Sequence, residues 1–108
     1  MKRLVFLLCI SILYASSASA DSHEGLIDRY HLNSDFSGRG VCVQMNPDLS
    51  GTGWACLWQD NSLYTEITDL LLDGFADRKY CSISWGGTDS NGHYLISLAE
   101  CYGVTPLP

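Results

Sequence analysis

The sequence predicts a small, mainly β domain with one helix, in the order β-ββ-α-ββ, stapled by two disulfides. Three observations predict it. Short apolar and aromatic runs alternate with clusters of Gly, Asn, Asp and Pro; one run alone has helical spacing; and four cysteines stand symmetrically about two turn-forming segments.

Gly25 to Leu32 reads as the first strand, and Asn33 to Gly40 as the turn-rich connection after it. Val41 to Met45 and Trp54 to Trp58 read as two strands joined by Asn46 to Gly53. Antiparallel partners share a constant sum of residue numbers, and Cys42 and Cys56 are equidistant from Leu49, inside that turn. The two cysteines therefore face each other across a hairpin. The same arithmetic places Cys81 and Cys101 about Asn91, within Asp89-Ser90-Asn91-Gly92, and Asn-Gly is a strong hairpin signal. Their flanks, Tyr80 to Trp85 and Tyr94 to Cys101, have strand character. A direct bridge needs a close cross-strand pair, and each would contribute about 3 kcal/mol by closing its loop. Between the hairpins, Asn61 to Phe75 reads as the helix. Leu63, Ile67, Leu70, Leu71 and Gly74 form its inner face, Asp60, Asn61 or Ser62 its N-cap, and Gly74 its end.

Residues 1–20 read as a secretory signal: Lys2 and Arg3, an apolar run from Leu4 to Tyr14, and Ala18-Ser19-Ala20 ahead of a cleavage point at Asp21. The run is about half the ~20 residues a membrane span needs, so no membrane insertion is expected. Cys9 leaves with this segment, and Leu8 stands where a lipoprotein signal has a small residue. Residues 21–108 then form one secreted or periplasmic domain, in which an even cysteine count with no CxxC favours disulfides over metal ligation. The domain keeps four basic residues, Arg29, Arg39, Arg78 and Lys79, against all twelve acidic ones, a formal charge of −8. That balance argues against nucleic acid and anionic membranes. A neutral ligand or a cationic partner fits it better.

No catalytic set stands out. His23, His31 and His93 have no HExxH-like spacing, no Gly-x-Ser-x-Gly elbow is present, and the Asp89 to Gly92 turn lacks the later ligands of a calcium loop. Neither enzymatic activity nor a cofactor or metal is expected. Glu66, Asp69 and Asp73 mark one helix face, and carboxylates titrating alike there make a solvated or partner-facing stripe rather than an acid/base pair. Trp54, Trp58 and Trp85 are core residues or a stacking surface for sugar rings. Trp54 and Trp58 share strand parity with Cys56, and Ala55 and Leu57 point the other way, so only one of these faces can be the inner one.

The order and local residues resemble the B subunits of the subtilase-cytotoxin and typhoid-toxin type, the sugar-binding components of bacterial AB5 toxins. The resemblance runs through Gly25-Leu26-Ile27-Asp28-Arg29-Tyr30-His31, Gly40-Val41-Cys42-Val43, Ser50-Gly51-Thr52 leading into Ala55-Cys56, the amphipathic helix with Leu63-Tyr64 near its start, and Leu95 to Cys101. It departs in the shorter Gly86 to Gly92 stretch and in Cys81, which has no counterpart there. The resemblance implies an oligomer-binding-like barrel, recognition of cell-surface glycans, and a homo-oligomer in which five copies would line a pore with the helix. It also implies glycan-binding residues at Ser22, ahead of the first strand, and at Ser84 or Trp85, where the family has a tyrosine. The other open function is a stand-alone exported protein of the same fold that binds a protein partner, as an inhibitor or envelope factor.

Overall fold

The structure, a computed structural model, describes residues 21–103. The proposed signal and the Thr105 to Pro108 end lie outside the described residues. The elements follow as β1 (Asp21–His31), β2 (Arg39–Asn46), β3 (Ala55–Trp58), α1 (Tyr64–Ala76), β4 (Tyr80–Thr88) and β5 (Tyr94–Cys101). The predicted order β-ββ-α-ββ is the observed one. β1 pairs antiparallel with both β2 and β4, the β2–β3 and β4–β5 hairpins are antiparallel, and β3 runs parallel to β5. The sheet thus closes on itself as a ring, β1-β2-β3-β5-β4.

Both hairpins have the register set by the cysteine midpoints. Cys42 faces Cys56 and Cys81 faces Cys101, each pair bonded with Cα atoms 4.0 Å apart, the close spacing of a non-hydrogen-bonded antiparallel pair. Strand alternation resolves the parity of β3. Ala55 and Leu57 join Val41, Val43, Met45, Ile83 and Ile96 in the core, and Trp54 and Trp58 lie half-buried on the other face. Burial of this aliphatic set supplies the main driving force, at about 25 cal/mol per Å² of apolar surface removed from water.

Several element boundaries differ from those expected. β1 starts at Asp21 rather than Gly25, because the polar Asp21 to Glu24 segment finds a ladder in Ser82 to Trp85. β4 likewise continues through Gly86 and Gly87 to Thr88. The helix starts at Tyr64, after an Asx-type turn in which the Leu63 N–H donates to Asn61 Oδ1 at 2.8 Å; Leu63 is the capping residue and is 53% exposed, not part of the inner face.

Gly74 does not end the helix. It lies inside α1 because a Cβ there would stand 2.5 Å from Cys81 Sγ and 2.8 Å from Cys101 Sγ, so the helix can lie on the second disulfide only with glycine at this position. The chain leaves the helix at Arg78 instead, with φ +53°, and the Lys79 N–H donates to Gly74 O and the Arg78 N–H to Phe75 O. That is a Schellman termination with arginine where glycine is usual. Ile67, Leu71 and Gly74 are the buried face of α1, which packs mainly on β1 and β5.

Candidate functional site

Of the three residues implied for glycan binding, the fold brings two together. Ser22 on β1 and Ser84 on β4 are direct ladder partners, so both hydroxyls leave the sheet on the same face, where Ser22 is exposed and Ser84 half-exposed. Trp85 follows Ser84 and points the opposite way. It is 7% exposed, belongs to the core and stacks on Tyr94 with ring centroids 4.2 Å apart. A hollow lined by Asp21, Trp85, Thr88 and Tyr94, with Gly86 and Gly87, lies beside that stack. Tyr94 is pinned from beyond by its hydroxyl, 2.6 Å from Ser50 Oγ.

The electrostatics around the serine pair are one-sided. Asp21, Glu24 and Glu100 are exposed nearby on β1 and β5, and Glu24 takes the Tyr102 hydroxyl, whose pKa that hydrogen bond pushes up to about 12. Arg29 stands seven residues along β1 from Ser22, roughly 20 Å at strand rise, and does not reach it.

The remaining candidates have local partners. Hydrogen-bond-length contacts join His23 Nε2 to Pro47 O at 2.7 Å and His93 Nδ1 to Thr52 Oγ1 at 2.9 Å, and the His31 ring lies 5.3 Å from that of Trp54. Among the described residues no three His, Cys, Asp or Glu gather as a metal site would require. Glu66, Asp69 and Asp73 are exposed on α1. Asp73 accepts from Lys79 Nζ at 2.7 Å, a hydrogen bond that holds its pKa below the usual carboxylate value. The lysine just past the helix end thus answers the charge that opposes the helix dipole.

Sequence reasoning missed the side chains that organise the other end of the β4–β5 hairpin. Trp58 Nε1 donates to Asp89 Oδ2 at 3.1 Å, and Asp89 Oδ1 accepts from the backbone N–H of Asn91 and of His93. Burial raises the Asp89 pKa, but these three donors and the nearby His93 outweigh it, and the net shift is downward. The only signal was compositional: an Asp opening an Asx turn, with an indole elsewhere that needs an acceptor. No family model, no curated protein and no solved structure matches this chain.

Proposed function

We propose that the domain is an exported glycan-binding module of the oligomer-binding type, akin to toxin B subunits, without catalytic activity of its own. The observation that carries the reading is the Ser22–Ser84 ladder pair, which joins across two strands the positions that the resemblance marked separately. Support for the fold type comes from the closed ring β1-β2-β3-β5-β4 with the helix between β3 and β4, the arrangement of a five-stranded barrel that offers one sheet face and its loops to ligands. Two hydroxyls 62 residues apart in sequence and adjacent in space suit the vicinal hydroxyls of a sugar. The surrounding carboxylates favour neutral glycans over sialylated or phosphorylated ones.

The test is a glycan array probed with the mature domain, deliberately multimerised because single sugar sites bind in about the millimolar to micromolar range. The expected result is binding to at least one glycan of the array that Ser22→Ala/Ser84→Ala abolishes while the far-ultraviolet spectrum and melting temperature stay unchanged. Silence across neutral and charged glycans would overturn the reading. It would favour instead a protein partner, for which two exposed apolar side chains, Leu72 on α1 and Leu98 across the ladder from Ser84, 47% and 50% accessible, are the motivation.

A further inference from the structure

The β4–β5 hairpin contains an irregularity that its topology does not require. From Cys81–Cys101 to Ser84–Leu98 the partners share one register, and Thr88–Tyr94 beside the turn shares it too. Between these points the ladder slips at Trp85–Ile96 and then slips back. Two compensating bulges, one leaving Ser97 unpaired on β5 and one within Gly86-Gly87 on β4, therefore interrupt a hairpin whose ends are already in step. Such bulges give up ladder hydrogen bonds and re-aim side chains, and they concentrate beside functional sites. Neither Gly86 nor Gly87 has a ladder partner among the described residues, and a Cβ on either would meet nothing within 4 Å.

Both bulges open onto one groove. A hollow of about 350 Å³ is lined by Trp58, Asp60, Asn61, Leu95 and Ser97 together with the two glycines. A second hollow of about 280 Å³ adjoins it, sharing Trp58, Asp60 and Leu95 and ending at Asp89 and Ser90. Trp58 lies at the centre of the pair and is held in place: its six-membered ring is 3.4 Å from where a Cβ on Gly38 would stand, and Asp89 holds its N–H. Asn61 is fixed as well, with Oδ1 accepting from Leu63 and Nδ2 donating to Ile96 O. Among the described residues no Lys or Arg lines either hollow. Arg39, the ladder partner of Trp58, is 7% exposed with its guanidinium over the Phe36 ring.

We propose that this groove is a second carbohydrate site, separate from the Ser22–Ser84 pair, which takes a neutral disaccharide with one unit against the Trp58 indole. A fixed indole beside an aliphatic side chain covers the apolar C–H face of a pyranose. The Asp60 carboxylate and the Gly86-Gly87 backbone, which has no ladder partner, supply acceptors and donors for its hydroxyls, and the Ser97 hydroxyl, whose hydrogen goes to Ser84 O at 3.3 Å, supplies a further acceptor. Two adjoining hollows around one indole give room for two units. The carboxylates of Asp60 and Asp89, with no cation facing the groove, exclude sialic acid and phosphorylated sugars. The inference shares only its ligand class with the function proposed above.

The experiment is a nitrogen–proton correlation titration of the mature domain with lactose, cellobiose and N,N′-diacetylchitobiose, and with sialyllactose as the anionic control, up to about 10 mM, the range of weak single-site sugar binding. The three indole N–H signals report Trp54, Trp58 and Trp85 separately. The Trp58 indole and the Gly86, Gly87 and Ser97 amides should move with at least one neutral disaccharide and stay still with sialyllactose. Asp60→Arg, at an exposed position outside the core, should weaken that binding about tenfold or more, and Ser22→Ala/Ser84→Ala should leave it intact. A silent Trp58 indole across the neutral sugars, or a response undiminished in Asp60→Arg, would overturn the second site. Movement confined to the Ser22 and Ser84 amides would overturn it while sparing the function proposed above, and movement confined to the groove would bear it out while removing the Ser22–Ser84 pair as a sugar site.

Discussion

Asp89 ties the hairpin turn to β3, since its two carboxylate oxygens hold the β3 indole and two backbone N–H groups of the turn. Removing it leaves three donors without an acceptor. Asp89→Ala should therefore destabilise the domain by about 1–3 kcal/mol at pH 7, measured by urea denaturation. Its pKa is depressed on folding, so the charge-dependent part of this stability is complete above the ordinary value of 3.8 and disappears as pH falls through the lower folded value. The gap between wild type and Asp89→Ala should accordingly begin to narrow near pH 4 and continue to narrow below it. A gap constant from pH 7 to pH 2 would show that the carboxylate charge contributes nothing.

Among the elements, the helix tests how tertiary contact overrides local preference. Alanine is favoured over glycine inside a helix by about 1 kcal/mol, yet Gly74→Ala would drive a methyl into the Cys81–Cys101 sulfurs. The substitution should destabilise the oxidised domain, by about 1–3 kcal/mol as overpacking usually does. In a background with Cys81→Ala and Cys101→Ala it should become neutral or stabilising. A double-mutant cycle that shows no coupling would remove the disulfide as the reason for this glycine. Gly74 also marks the limit of what was legible. The cysteine midpoints carried the register of both hairpins, because pairing arithmetic is local to a hairpin. The helix end was misplaced, because the reason for that glycine lies on strands seven and 27 residues further on. Asp21 to Glu24 and Gly86-Gly87 gave no strand signal, since a neighbouring edge rather than their own side chains makes them extended. At the site, the Ser22–Ser84 pairing needed the β1–β4 closure, and the Trp58–Asp89 bond needed β3 placed beside β5; neither contact has a local signature.

For the whole molecule, assembly is an electrostatic question. If five copies gather with α1 lining a pore, as the proposed kinship implies, each brings the exposed Glu66, Asp69 and Asp73 towards the axis, with only Asp73 answered by Lys79. Self-association should then strengthen as salt rises from about 0.1 M to 1 M and the screening length falls from about 10 Å to 3 Å. Light scattering across that range checks it. The salt dependence should vanish in Glu66→Gln/Asp69→Asn, and a monomer at every ionic strength would count against the ring.

The closed sheet has one strand without a covalent anchor. The bridges tie β2 to β3 and β4 to β5, whereas β1, which joins the two hairpins by pairing with β2 on one side and β4 on the other, contains no cysteine. Heat, denaturant or a protease can therefore unzip β1 while both bridged hairpins stay intact, and amide hydrogen exchange should show β1 opening at a lower free energy than β2 and β4. Equal protection in all three strands would mean that the ring opens only as a unit. Once β1 lifts, β2 and β4 each bare a strand's length of unpaired N–H and C=O groups, a slot shaped for an eleven-residue segment. The first strand of a neighbouring molecule matches that slot residue for residue, so concentrated, warmed solutions of this protein are the place to look for strand-swapped dimers.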